Sequence, residues 1–438
     1  MASLLLSGLR IIRPGSEQEL IPEGWILVDD GLVAALGTNS DRPPAADSSL
    51  DMQGRTVLPG LINAHTHLYS TLALGMPAPV NTPRNFTEIL ERVWWKLDRA
   101  LDEPSVSASF RAGLLECLRW GVTTVIDHHS SPSWITGSLT RLQQIADEVG
   151  PRVATAFELS DRNGTKVATE SLKENLDTAK RGHARHASLL GLHASFTLDD
   201  STLADAARLR RKANTPGIHI HLAEDLADQT DAYKRKQPGV VARLDAFGLL
   251  DEHALVIHGL HLRRDELQLL EKRKCCLVHN PGSNANNRVG SLGNLAFNTC
   301  LTGLGTDGMQ ANMLAEAKEG TLIASAVRTP GTPSVDYLRL LFQNNPLIAS
   351  RIFGREIGRI EPGQPADLVF HDYRERTPVL PQNLSAHLLF GLEKPSDVYC
   401  DGRFRIRDGH VTELDETAIL KDARARAAAL WQRMATLT

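Results

Sequence analysis

The chain has 438 residues, 42% hydrophobic and 23% charged, with a formal net charge of -4. That balance suits a globular protein with a large core, and the length favours one big domain plus a smaller one. It offers no basic field for nucleic acid, and no apolar run nears the roughly 20 residues that span a bilayer, so neither is expected as a partner.

The first residues, Met1-Ala2-Ser3-Leu4-Leu5-Leu6, are too short for a signal peptide and run into a β-like segment, which makes the cytoplasm the expected location. Residues 25–28 and 32–37 are further β-like runs, separated by Asp29-Asp30-Gly31. Residues 363–370, 398–403 and 407–410 read the same way, and Asp-Gly between apolar runs marks hairpins. Segments 1–57 and 359–438 are therefore expected to build one composite β-sandwich, with a closing helix over 415–435.

Residues 58–358 carry a different pattern. Short apolar runs end in polar tips at 58–67, 121–130, 153–161, 189–196, 217–224, 254–262, 275–280 and 301–307, with helix-like stretches between them. Eight alternating units imply a parallel sheet closed into a (β/α)8 barrel, an α/β fold. The five cysteines show neither zinc-finger spacing nor a disulfide framework and read as small buried hydrophobes.

Barrel chemistry sits at the C-terminal ends of strands. Here those ends carry His65 and His67, His128 and His129, Asp161, His193, His221 and Glu224, His258, His279, and Asp307. His65 and His67 share a strand face in Asn63-Ala64-His65-Thr66-His67, so two imidazoles can hold one metal ion. His221 ends the fifth run and Asp307 the eighth, which a closed barrel places beside the first. Three imidazoles and a carboxylate suit one Zn(II) or Fe(II) with a position open for water. Asp307 can also accept a water proton, His258 can orient that water, and Glu224 can carry a proton to a leaving nitrogen. His219 shares a face with His221 and reads as a buried residue behind it.

Pro59-Gly60-Leu61-Ile62-Asn63-Ala64-His65-Thr66-His67, His219-Ile220-His221-Leu222-Ala223-Glu224, His258, His279-Asn280-Pro281 and the stretch 304–308 resemble the amidohydrolase superfamily, in its cytosine-deaminase and triazine-hydrolase-like branch. Residues 94–101, 127–129, 137–139 and 161–163 more narrowly resemble the SsnA-type aminohydrolases. The resemblance covers nearly the whole chain. It implies one divalent ion held by His65, His67, His221 and Asp307, with Glu224 and His258 catalytic. Binuclear relatives carry a carboxylated lysine, usually on strand four; Gly191-Leu192-His193-Ala194-Ser195 has none, which argues for a single ion. Ala285 stands where relatives often carry Met, which bears on pocket shape.

The expected reaction is hydrolytic deamination of a small amino-substituted heterocycle of purine, pyrimidine, pterin or triazine type. Displacement of chloride and opening of a cyclic amide are the alternatives within the fold, and an inactive scaffold is the alternative outside catalysis. A homodimer or larger homo-oligomer stays open. His193, His279, His129 and Arg162 are candidate substrate contacts, with His128 and Arg84 unassigned. Trp94 and Trp95 read as helix packing, and 208–212 and the His183/His186 stretch as solvated helix faces.

Overall fold

The computed structural model describes residues 2–181, 184–213, 217–327 and 334–437. All eight expected runs form parallel strands. The first three lie in one sheet, Leu61–Thr66, Val122–His129 and Arg152–Phe157, with the short strand His186–Ser188 at its edge. The second sheet contains Leu190–Ala194, Ile218–Leu222, Leu255–His258, Cys276–His279 and Leu301–Leu304. The fourth run thus opens the second sheet, and the short strand before it, His186–Ser188, was not expected. Most of these strands are buried along their whole length, as expected when helices cover one face and a packed interior the other.

Where one continuous ring was expected, the ladders form two sheets that meet through isolated bridges, Leu159 with Leu192 and Thr66 with Asp307. At the second seam the backbone N–H groups of Thr306 and Asp307 both donate to His65 O at 3.0 Å. Regular pairing lapses there because the chain turns left-handed at Asp307, whose φ is 56°. Gly305 permits the approach: a Cβ at that position would stand 2.8 Å from both His65 N and His65 O.

Both termini enter one eight-stranded mixed sheet. Strand Ser48–Pro59 lies inside it, parallel to Leu4–Ile12 and antiparallel to Leu368–His371. The ladder is one continuous sheet, where a two-layer sandwich was expected. This sheet anchors the site, because Ser48–Pro59 runs directly into Leu61–Thr66 and Gly60 N donates to Asp367 O at 2.7 Å. The final helix, Glu416–Thr436, packs on helix Glu103–Arg119 and on the turn Leu68–Ala73 after the first parallel strand. Trp431 Nε1 donates to Leu72 O at 2.9 Å and Arg433 Nε to Ala100 O at 2.8 Å.

The five cysteines are buried and unpaired, as expected. Among the described residues no helix is long and apolar enough to cross a membrane. Two surface readings need correction. Arg210 is buried and donates to Leu249 O, because helix Asp200–Ala213 turns that side chain toward the next unit. His186 lies on a strand, 3.0 Å from Asp147, and His183 lies outside the described residues.

Candidate metal and active site

The period of two along Leu61–Thr66 turns Asn63 and His65 the same way, and His67 follows at the start of the next turn. Asn63 binds Thr306, its Nδ2 donating to Oγ1 at 2.7 Å and its Oδ1 accepting from the backbone N at 3.2 Å. That clasp delivers Asp307 to the two histidines. Asp307 Oδ1 lies 3.0 Å from His67 Nε2 and 3.5 Å from His65 Nε2. His221 Nε2 lies 3.2 Å from His67 Nε2.

Each of the three imidazoles is oriented by its other nitrogen. His67 Nδ1 donates to His128 O at 2.7 Å, and His221 Nδ1 donates to His193 O at 2.9 Å. His65 Nδ1 lies 3.2 Å from His219 Nε2, and His219 Nδ1 lies 2.5 Å from His128 Nδ1. His65 and His67 Nε2 therefore face Asp307 Oδ1, and His221 Nε2 stands beside that of His67. The remaining Asp307 oxygen, Oδ2, accepts from Ser283 Oγ at 2.6 Å, and Gly308 N donates to Oδ1 at 2.8 Å.

His258 and Glu224 close the other side. His258 Nε2 lies 3.3 Å from Glu224 Oε2 and 3.8 Å from Asp307 Oδ2. Its Nδ1 meets the side-chain amides of Asn284 at 2.8 Å and Asn280 at 3.3 Å. The positive φ of His258, 72°, swings its ring off the regular strand direction.

The electrostatics separate the two carboxyls. Burial pushes Asp307 up, but the imidazoles of His65 and His67 beside it outweigh that and hold the group well below the usual carboxylate range. Glu224 is raised well above that range, first by burial and then by the Asp307 charge. Burial pulls His258 and His65 down to about 3 against the attraction of Asp307. Burial also pulls on His67, yet the hydrogen bond and charge of Asp307 prevail and raise it to about 9.

His67, His221, Glu224, His258 and Asp307 line a cavity of about 800 Å³, counting the part open to solvent, together with Phe86, Leu90, Trp94, Phe196 and Met309, while His65 is fully buried behind them. Of the candidate substrate contacts, only His193 reaches it. His129 is fully buried against Phe110, Tyr69 and Phe157, and its Nε2 meets Ser131 Oγ at 2.7 Å. His279 is fully buried against Phe297 and Tyr337. Strand parity explains both: His129 alternates with the inward His128, and His279 follows Leu277 onto the helix-facing side.

Arg162 does not reach the cavity either. Its guanidinium is held by Asp98 and Glu158, each at 2.5 Å, and lies over Trp95. Arg84 is exposed and pairs with Glu88 on the short helix that follows it, Phe86–Ile89. Trp95 packs as expected, whereas Trp94 lines the cavity. Ala285 is exposed and does not line it. Sequence reading missed Glu158, directly after strand Arg152–Phe157, and missed Ser283, Asn284 and Asn287 on helix Pro281–Asn287. A carboxylate immediately following an apolar strand was the available signal for Glu158.

A family model, the amidohydrolase family, matches residues 56–405. The chain belongs to the amidohydrolase family and is a hydrolase acting on carbon–nitrogen bonds. It is 27% identical over 442 residues to a 5'-deoxyadenosine deaminase of Methanothermobacter thermautotrophicus, covering 98% of this chain and 99% of that protein. A crystal structure of an adenosine deaminase from Xanthomonas campestris with bound zinc superposes with a TM-score of 0.85 at 21% identity, over 99% of both chains. An atrazine chlorohydrolase from Arthrobacter aurescens TC1, complexed with zinc, gives 0.82 at 20% identity over 97% of this chain and 100% of that one. At these identities the two structures establish the shared fold.

Proposed function

We propose that this chain is a metal-dependent aminohydrolase that removes an amino group, as ammonia, from a nitrogen heterocycle of purine type. The observation that carries the reading is the cluster of His65 and His67 Nε2 at Asp307 Oδ1, with His221 Nε2 against His67 and the Glu224–His258 pair alongside, at one cavity. The 27%-identical relative, a deaminase of 5'-deoxyadenosine, supports the ring class. In this reading residues 58–358 are the catalytic unit, and the sheet formed by the terminal segments supports it.

The donor set fits a divalent ion. Ligands at about 2.1 Å in a tetrahedron stand about 3.4 Å apart, and the observed separations of 3.0, 3.2 and 3.5 Å are of that order. His65 Nε2 is buried without a hydrogen-bond partner, a cost that a cation at this point would remove. When bound, a divalent ion supplies Lewis acidity that makes water a usable nucleophile near neutral pH.

This chain's own residues supply the rest. Asp307, held ionised, accepts a proton from the attacking water. Glu224, kept protonated by burial, delivers its proton to the ring nitrogen and recovers one from the new hydroxyl, while the proton taken up by Asp307 passes to the departing amine, which leaves as ammonia. The Asn280 and Asn284 amides at Nδ1 leave the His258 ring proton on Nε2, where it can hydrogen-bond the tetrahedral centre.

The test is ammonia release from aminopurines, aminopyrimidines, pterins and triazines by zinc-loaded and iron-loaded enzyme. Turnover of purine nucleosides is expected. Release of chloride from chlorotriazines, with no ammonia from any member of the panel, would overturn the reading.

A further inference from the structure

We infer that Glu158 is a specificity-determining residue of the cavity, accepting hydrogen bonds from the part of the substrate remote from the reacting amine and excluding anionic substituents. The inference rests on the deaminase reading and adds the chemistry of the substituent.

Glu158 follows strand Arg152–Phe157 and lines the cavity, yet its side chain is only 4% exposed. Its Oε1 is engaged from behind by Arg162 at 2.5 Å and by Ser130 Oγ at 3.1 Å. Oε2 lies toward His193, another lining residue. The nearest imidazole nitrogens, His128 Nε2 at 3.8 Å and His193 Nε2 at 4.0 Å, stand too far away for hydrogen bonds. A buried carboxylate oriented on one side and open on the other is an acceptor for a ligand donor.

Charge sharpens the choice. Five acids, Glu158, Glu224, Asp225, Asp228 and Asp307, line this cavity, and among the described residues no lysine or arginine does. The nearby guanidinium of Arg162 is committed to Asp98 and Glu158. A phosphate or carboxylate on the substrate would meet Glu158 without a compensating cation, whereas a hydroxyl would be bound.

Calorimetric binding of 5'-deoxyadenosine and of adenosine 5'-monophosphate to the zinc-loaded protein tests this, with ammonia release followed in parallel. Wild type is expected to bind 5'-deoxyadenosine at least about 30-fold more tightly. Glu158→Ala is expected to weaken 5'-deoxyadenosine binding by about 10–100-fold and to lower the Tm, because it takes one of the two carboxylates from the buried Arg162. Glu158→Gln, which keeps the shape and removes the charge, is expected to narrow the preference by about 10-fold, which a purely steric exclusion would not do. Equal binding of the two compounds by wild type, no binding of either, or unchanged preference in both variants would overturn the inference. Glu158-dependent binding without ammonia release would instead overturn the deaminase reading and leave the role of Glu158 standing.

Discussion

Nε2 of His67, just beyond the first parallel strand, lies 3.0 Å from Oδ1 of Asp307, just beyond the last. The contact spans the seam between two sheets that share few backbone bonds there. The Asn63–Thr306 clasp and the narrow approach at Gly305 hold that seam in place. The proposed ligand set is therefore formed only when both ends of the parallel array have folded.

Asp307→Asn removes the one negative charge among the proposed ligands. Zinc content is expected to fall below a tenth of the wild-type value, and turnover by at least about 100-fold. Elemental analysis of purified protein checks the first and ammonia release the second. Full zinc with near-normal turnover would mean that Asp307 is misassigned.

Glu224→Gln keeps the shape of the side chain beside His258 but cannot deliver a proton. Deamination is expected to slow by about 10²–10⁴-fold while zinc content stays unchanged. A leaving halide needs no proton, so a variant that retains full turnover would point to halide displacement.

His219 touches no substrate; it orients His65 through the 3.2 Å contact at Nδ1. His219→Leu preserves bulk and removes that partner. Zinc affinity, measured by competition with a chelator, is expected to weaken by about 10–100-fold. Unaltered affinity would reduce His219 to a space-filling role.

His371, in the terminal sheet, provides a pH prediction remote from the site. Burial lowers its pKa to about 4, against the backbone hydrogen bond to Glu393. The folded protein keeps this ring neutral while the unfolded chain protonates it below about 6.5, so stability falls as pH drops from 6.5 toward 4. The loss from this group reaches about 3 kcal/mol. His371→Asn, whose amide can still donate to Glu393 O, is expected to flatten that part of the profile in denaturant titrations at several pH values. An unchanged slope between pH 6.5 and 4 would show that His371 does not carry it.

The proposed metal centre was legible because its signals are local. Period two along a strand places His65 and His67 together and puts His219 behind His221. The eight apolar runs announce parallel strands, and their ends bring distant residues to one rim. Parity could also have removed His129 and His279 from the substrate contacts, since each lies one step from the inward face.

Arg162 was not legible in this way. A cation at a strand end reads as an anion anchor until Asp98 and Glu158, from two different segments, are seen to hold it. Glu158, Trp94 and Ser283 reach the cavity on separate connections, and nothing in any one segment reports what folds over it. By itself the sequence determined the strand-and-helix pattern and the chemistry at the strand ends, because both follow from short-range periodicity. Only the tertiary structure decided which charges face the cavity and which cancel behind it, because that depends on the packing of loops far apart in the chain.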